Sequence, residues 1–210
     1  MIRSHRCRRP LAALLGVLCT QAALAGTVTV NVTAVSGASA EDTVIVFDPL
    51  DAAPPASHDE ASIDQINKRF VPRVTVVRTG TSITFPNSDR IRHQVYSFSP
   101  AKTFTLKLYA GSPKTAVIFD KPGLVVLGCN IHDNMLAFVA VVDSPYFAKA
   151  SSSGSASFNL PAGRYRLRAW HPNVVAAVAP REVVVAAGPM SVPLSIDLDG
   201  GPATVATWPE

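Results

Sequence analysis

The chain has 210 residues, 19 Lys and Arg against 15 Asp and Glu, and a mean hydropathy of +0.23, a size that holds one large or two small domains. Four of the arginines (Arg3, Arg6, Arg8 and Arg9) precede residue 26 and no acid does. The remainder therefore balances 15 cations against 15 anions, and gives no electrostatic footing for nucleic acid.

Residues 1–10 are basic, residues 11–24 form a short apolar run, and Ala23-Leu24-Ala25 closes it with a small-x-small pattern. That order predicts a signal peptide over 1–25, export to the periplasm, and no transmembrane span in the mature chain. Bulky Leu18 directly before Cys19 argues against lipidation there. Cys7 and Cys19 leave with the leader, so the mature chain keeps one cysteine, Cys129. An unpaired thiol in an oxidising compartment is either buried and inert or held by a metal.

From residue 26 the chain reads as all-β. Val28, Val30 and Val32 alternate through 27–33, and 43–47 (TVIVF) follows a Ser/Gly/Ala turn. Eight candidate strands then fill 62–143, at 65–70, 73–77, 82–86, 93–98, 103–108, 116–120, 124–129 and 135–142. Turn residues divide them: Arg78-Thr79-Gly80, Asn87-Ser88-Asp89, Gly111-Ser112-Pro113 and Lys121-Pro122-Gly123. Phe70, Phe85, Phe98, Phe104 and Phe119 are expected to fill the core of this unit. Alternation resumes at 155–160, at 164–170 with three arginines on one face, at 182–186 and at 192–198. Neither flank holds enough strands to bury a face alone, so 26–53 and 146–200 are expected to join as one small discontinuous β-sandwich, with 201–210 as a tail.

The segment Gly128-Cys129-Asn130-Ile131-His132-Asp133-Asn134-Met135 carries the chemistry. Apolar, β-branched runs flank it, so it reads as a tight loop between strands that turns Cys129, His132 and Met135 toward one point. Thiolate, imidazole and thioether together suit copper. Two His and one Cys in a plane with a long axial Met define a type 1 (blue) centre, whereas structural zinc asks for four Cys or His and no Met. The second imidazole must come from elsewhere. Of the mature histidines (58, 93, 132 and 171), His93 follows a polar turn and opens a strand. His58 reads as solvated, and His171, in Trp170-His171-Pro172, as structural or solvated.

Phe70-Val71-Pro72, Gly80-Thr81, Phe85-Pro86-Asn87, His93-Gln94-Val95 and the Cys129-x2-His132-x2-Met135 loop together resemble the cupredoxin family, with a ligand loop of amicyanin length. Residues 91–147 are similar to a bacterial group labelled methylamine utilisation or plastocyanin-like proteins. Two positions depart from those patterns: Gln94 stands where that group has a second His, and the ligand loop lacks prolines. The resemblance implies a Greek-key sandwich over 62–143, one copper per chain, and Asn87 as a residue bracing the ligand loop from outside the ligand set. It also implies single-electron transfer, without enzymatic turnover, between periplasmic redox proteins such as a dehydrogenase or a c-type cytochrome. Ile131, Leu136 and Pro86 would then form an apolar collar for docking. The flanks, through Leu160-Pro161-Ala162-Gly163-Arg164-Tyr165, resemble carboxypeptidase-regulatory or transthyretin-like sandwiches. A copper carrier is the alternative. It is disfavoured by two methionines in the mature chain, just as four histidines are too few for a trinuclear copper oxidase.

Overall fold

The computed structural model describes residues 25–51, 53, 59–113, 115–132, 134–199, 208 and 209. Residues 1–24 of the signal peptide expected over 1–25, His58 and Asp133 lie outside the described residues. Among the described residues there are seventeen strands and no helix, hence none long and apolar enough to cross a membrane. The all-β reading holds.

In chain order the strands begin with β1 (Ala25–Ala34) and β2 (Val44–Pro49). The middle of the chain supplies β3 (Glu60–Ser62), β4 (Asp64–Ile66), β5 (Arg69–Val71), β6 (Val74–Arg78) and β7 (Thr81–Thr84). It continues with β8 (His93–Ser99), β9 (Lys102–Tyr109), β10 (Val117–Phe119), β11 (Gly123–Gly128) and β12 (Leu136–Val142). The last part gives β13 (Phe147–Lys149), β14 (Ser155–Pro161), β15 (Gly163–Trp170), β16 (Arg181–Val185) and β17 (Gly188–Ile196).

Five sheets result. The middle strands form β6-β12-β11-β8-β9, β10-β7-β3 and the hairpin β4-β5, while the flanks form β14-β1-β17 and β13-β2-β15-β16. Residues 65–70, expected as one strand, are instead this hairpin. Ile66 pairs with Arg69, and Asn67 and Lys68 between them both take left-handed backbone (φ 53° and 58°). A two-residue loop with both φ values positive is the turn whose twist matches paired strands.

Two cores sit on opposite faces of the five-stranded sheet. Ala137, Val139 and Val141 of β12 face an inner core with Ile83, Phe85, Phe119 and Leu127. Phe138, Ala140 and Val142 face a second core shared with Val30, Phe47, Leu167 and Trp170 of the flanks. A strand buried on both faces needs an uninterrupted apolar run rather than alternation, and residues 136–142 (LAFVAVV) supply one. Phe98 departs from the expected core set, being 76% exposed. On β8 the residues His93, Val95 and Ser97 point inward, so Phe98 shares the outer face with Tyr96, their rings 5.1 Å apart. Strand parity overrides hydrophobicity there.

Candidate metal centre

The loop from Cys129 to Met135 joins the inner edges of β11 and β12, whose six-residue antiparallel ladder holds both its ends. Gly128 closes β11 against Tyr96 of β8, and Met135 N–H donates to the His132 carbonyl (3.0 Å), so the loop turns back at His132. Cys129 and Met135 are consequently buried at 4% and 1% exposure, against the same inner core. His132 is half-buried between them.

His93 arrives from the other side. It starts β8 fully buried, and the β8–β9 pairing is irregular between His93 and Val95, a local change of register that re-aims side chains. One ligand atom each from His93, Cys129 and His132 lies within 4.8 Å of the others. Cys129 Sγ is 3.9 Å from His93 Nδ1, and the two imidazole rings stand 5.1 Å apart. Metal bonds of about 2.0 Å to nitrogen and about 2.3 Å to sulfur, meeting at an open angle, separate the two donors by roughly 3.5–3.9 Å.

The donors fit a soft-to-borderline metal on a second ground. Nδ1 of His132 is buried without a hydrogen-bond partner among the described residues, and a buried polar atom left unpaired is destabilising unless something binds it. One thiol and two imidazoles brought together, with the buried thioether residue Met135 on the same loop, are donors whose chemistry suits a soft-to-borderline transition metal such as copper. Gln94, where the resembled group has a second His, is on the opposite face of β8 from His93 and half-buried.

The His93 ring is fixed from behind by a residue that in sequence reads only as part of a turn. Asp89 Oδ2 lies 2.7 Å from His93 Nε2. The same carboxylate accepts Asn67 N–H (2.7 Å) and Lys68 N–H (2.9 Å) from the tip of the β4-β5 hairpin. Burial pushes its pKa up, but the bonds from Lys68, His93 and Asn67 outweigh burial and hold it below the ordinary carboxylate value. The available signal was a carboxylate four residues before a candidate ligand in a polar loop.

Asn87 braces this same segment. Its side-chain amide donates to the carbonyls of Ile91 and Tyr109 (2.9 Å each), and its Oδ1 accepts Asp89 N–H (3.1 Å). Among the described residues its bonds thus tie the 87–93 loop to β9, on the His93 side of the site rather than along 129–135. Gln65, fully buried, donates to the Pro86 carbonyl (3.0 Å) and anchors the start of that loop. Tyr109 beside it has a hydroxyl pKa raised to about 12, by burial first. Ile131 and Leu136 are exposed and Pro86 is half-buried. His171 lies on the far side of the five-stranded sheet, among the flank residues.

No family model and no curated protein matches the chain. Among solved structures it is similar to a copper-containing nitrite reductase from Thermus scotoductus SA-01, with 21% identity and a TM-score of 0.39 over 46% of this chain. The match spans 26% of that reductase. It is also similar to a purple cupredoxin from Nitrosopumilus maritimus, with 19% identity, a TM-score of 0.35, and 39% of this chain against 98% of that one. A third is a point mutant of amicyanin in its Cu(I) form, with 18% identity, a TM-score of 0.35, and 46% of this chain against 97% of that one.

Proposed function

We propose that this chain is an exported protein of cupredoxin type, with one type 1 copper held by His93, Cys129, His132 and Met135, that carries single electrons between periplasmic redox partners. The observation that carries the reading is the convergence of one thiol and two imidazoles within 4.8 Å, one imidazole nitrogen being buried and unpartnered among the described residues. Copper, when bound, supplies a one-electron couple. The chain's own residues do the rest. Cys129 and Met135 enter from opposite strands of one ladder, which limits how far either donor can move. His93, fully buried, keeps water from one side. His132, half-buried beside exposed Ile131 and Leu136, brings a ring edge toward the surface, where a dehydrogenase or c-type cytochrome would dock. Small transient interfaces suffice for such encounters.

Cyclic voltammetry combined with a chelator challenge separates this role from copper delivery. An electron carrier gives reversible waves and retains copper in both oxidation states. Replacing the soft thioether by an amide in Met135→Gln is expected to keep the blue band and lower the potential, a tenfold change in relative affinity being about 59 mV in a one-electron couple. Loss of Cu(I) to a modest chelator without reversible waves would assign the chain to delivery instead.

A further inference from the structure

We infer that Asp89 is a positioning residue of the metal centre: it fixes which nitrogen of His93 faces Cys129, and it places a negative charge behind the ring. The inference rests on the copper reading above. Its footing is the geometry of one carboxylate bound on three sides, by Asn67 N–H, Lys68 N–H and the His93 ring at 2.7, 2.9 and 2.7 Å. With Nε2 committed as donor to Asp89, Nδ1 is the nitrogen left to face Cys129, at 3.9 Å. The carboxylate is held in place, because the backbone N–H of Asp89 donates to Asn87 and the hairpin tip donates to both carboxylate oxygens. A carboxylate behind a ligating imidazole sets the tautomer and raises the basicity of the ligand. The extra electron density on the ring favours the more highly charged oxidation state, so Asp89 should lower the reduction potential.

The bland alternative is that Asp89 merely pins the β4-β5 hairpin. Asp64 provides the control, because it ties the same hairpin to the same loop through Ser88 Oγ (2.7 Å) and Ser88 N–H (3.2 Å) and has no described bond to His93. Copper-loaded wild type, Asp89→Asn and Asp64→Asn are compared by voltammetry. Asp89→Asn is expected to shift relative affinity toward Cu(I) about tenfold, a rise of about 59 mV, with Asp64→Asn leaving the potential where wild type has it. Equal potentials in all three proteins, or equal shifts in both variants, would overturn the inference. Should Asp89→Asn fail to fold, the wild type decides alone. Long-range 1H–15N NMR of the metal-free protein is expected to find the His93 proton on Nε2. A proton on Nδ1 would overturn the inference whether or not copper binds, and failure of wild type to bind copper as a type 1 site would instead sink the function proposed above.

Discussion

His171 shows how much a single ring depends on its tautomer in this fold. Its Nε2 faces the Glu41 carbonyl at 3.0 Å and its Nδ1 accepts Asn173 N–H at 3.1 Å, so the neutral ring is satisfied on both sides. Protonation would set a new N–H against the Asn173 N–H. Burial lowers the pKa of His171 below its ordinary 6.5, more than the Glu41 carbonyl and the Asp42 charge raise it. The unfolded chain therefore takes up a proton near pH 6.5 that the folded chain refuses. Stability at this site is complete above that pH and declines as pH falls through it, by at most about 1.4 kcal/mol per unit. Urea unfolding of the metal-free protein between pH 7.5 and 5 is expected to show this decline, and His171→Gln to remove it. Parallel pH profiles for the two proteins would refute the assignment. At the same scale, Cys129, His132 and Met135 are legible in the sequence because the ligand types recur within one short loop. His93 is legible only by context. Asp89 is legible only as a carboxylate in the turn before His93, because its partners Asn67 and Lys68 reach it only after a hairpin folds back over 22 residues of chain.

Most strands can be read from sequence, and the exceptions have physical causes. Segments with clear alternation or long apolar runs, such as β1, β8, β12 and β15, fall within a residue or two of their expected limits. Residues 65–70 mislead because Asn67-Lys68 carries no glycine, yet both residues adopt the left-handed backbone that a two-residue hairpin loop demands. Short β3 and β13, three residues each, are set by partners remote in sequence: β3 pairs in parallel with β7, and β13 runs antiparallel to β2 across a hundred residues. Three-residue pairings leave too little periodicity to detect. Phe98 misleads in the opposite sense, since its hydrophobicity suggests a core position that the parity of β8 denies it.

Across the whole molecule, two sheets draw only on strands of the flanks and three only on strands between residues 60 and 142. The two sets of strands nevertheless share a core. Val74, Phe138, Ala140 and Val142, each at most 1% exposed, bury their side chains in the flank core, with Phe138 5.4 Å from the ring of Trp170. Trp208, beyond the expected sandwich limit, adds its ring to the same wall, 6.5 Å from Trp170 and under Arg168. Fully burying a Val or Phe contributes roughly 1.5–3 kcal/mol, so the shared face is worth several kcal/mol out of a typical total of about 5–15. A fragment of residues 60–144 is expected to unfold at lower urea than the full chain and to self-associate through the uncovered face. A monomeric fragment as stable as the full chain would contradict the shared core. Both cores converge on β12, the strand that follows Met135, so the flanks contribute to holding the proposed donor set in place. The direct test of that donor set is titration of the protein with copper, followed by visible absorption and EPR. One copper per chain is expected, with an intense blue Cu(II) band and a narrow parallel hyperfine splitting, lost in Cys129→Ser and retained in His171→Gln. A pale, tetragonal-type spectrum, or a stoichiometry far from one, would contradict it.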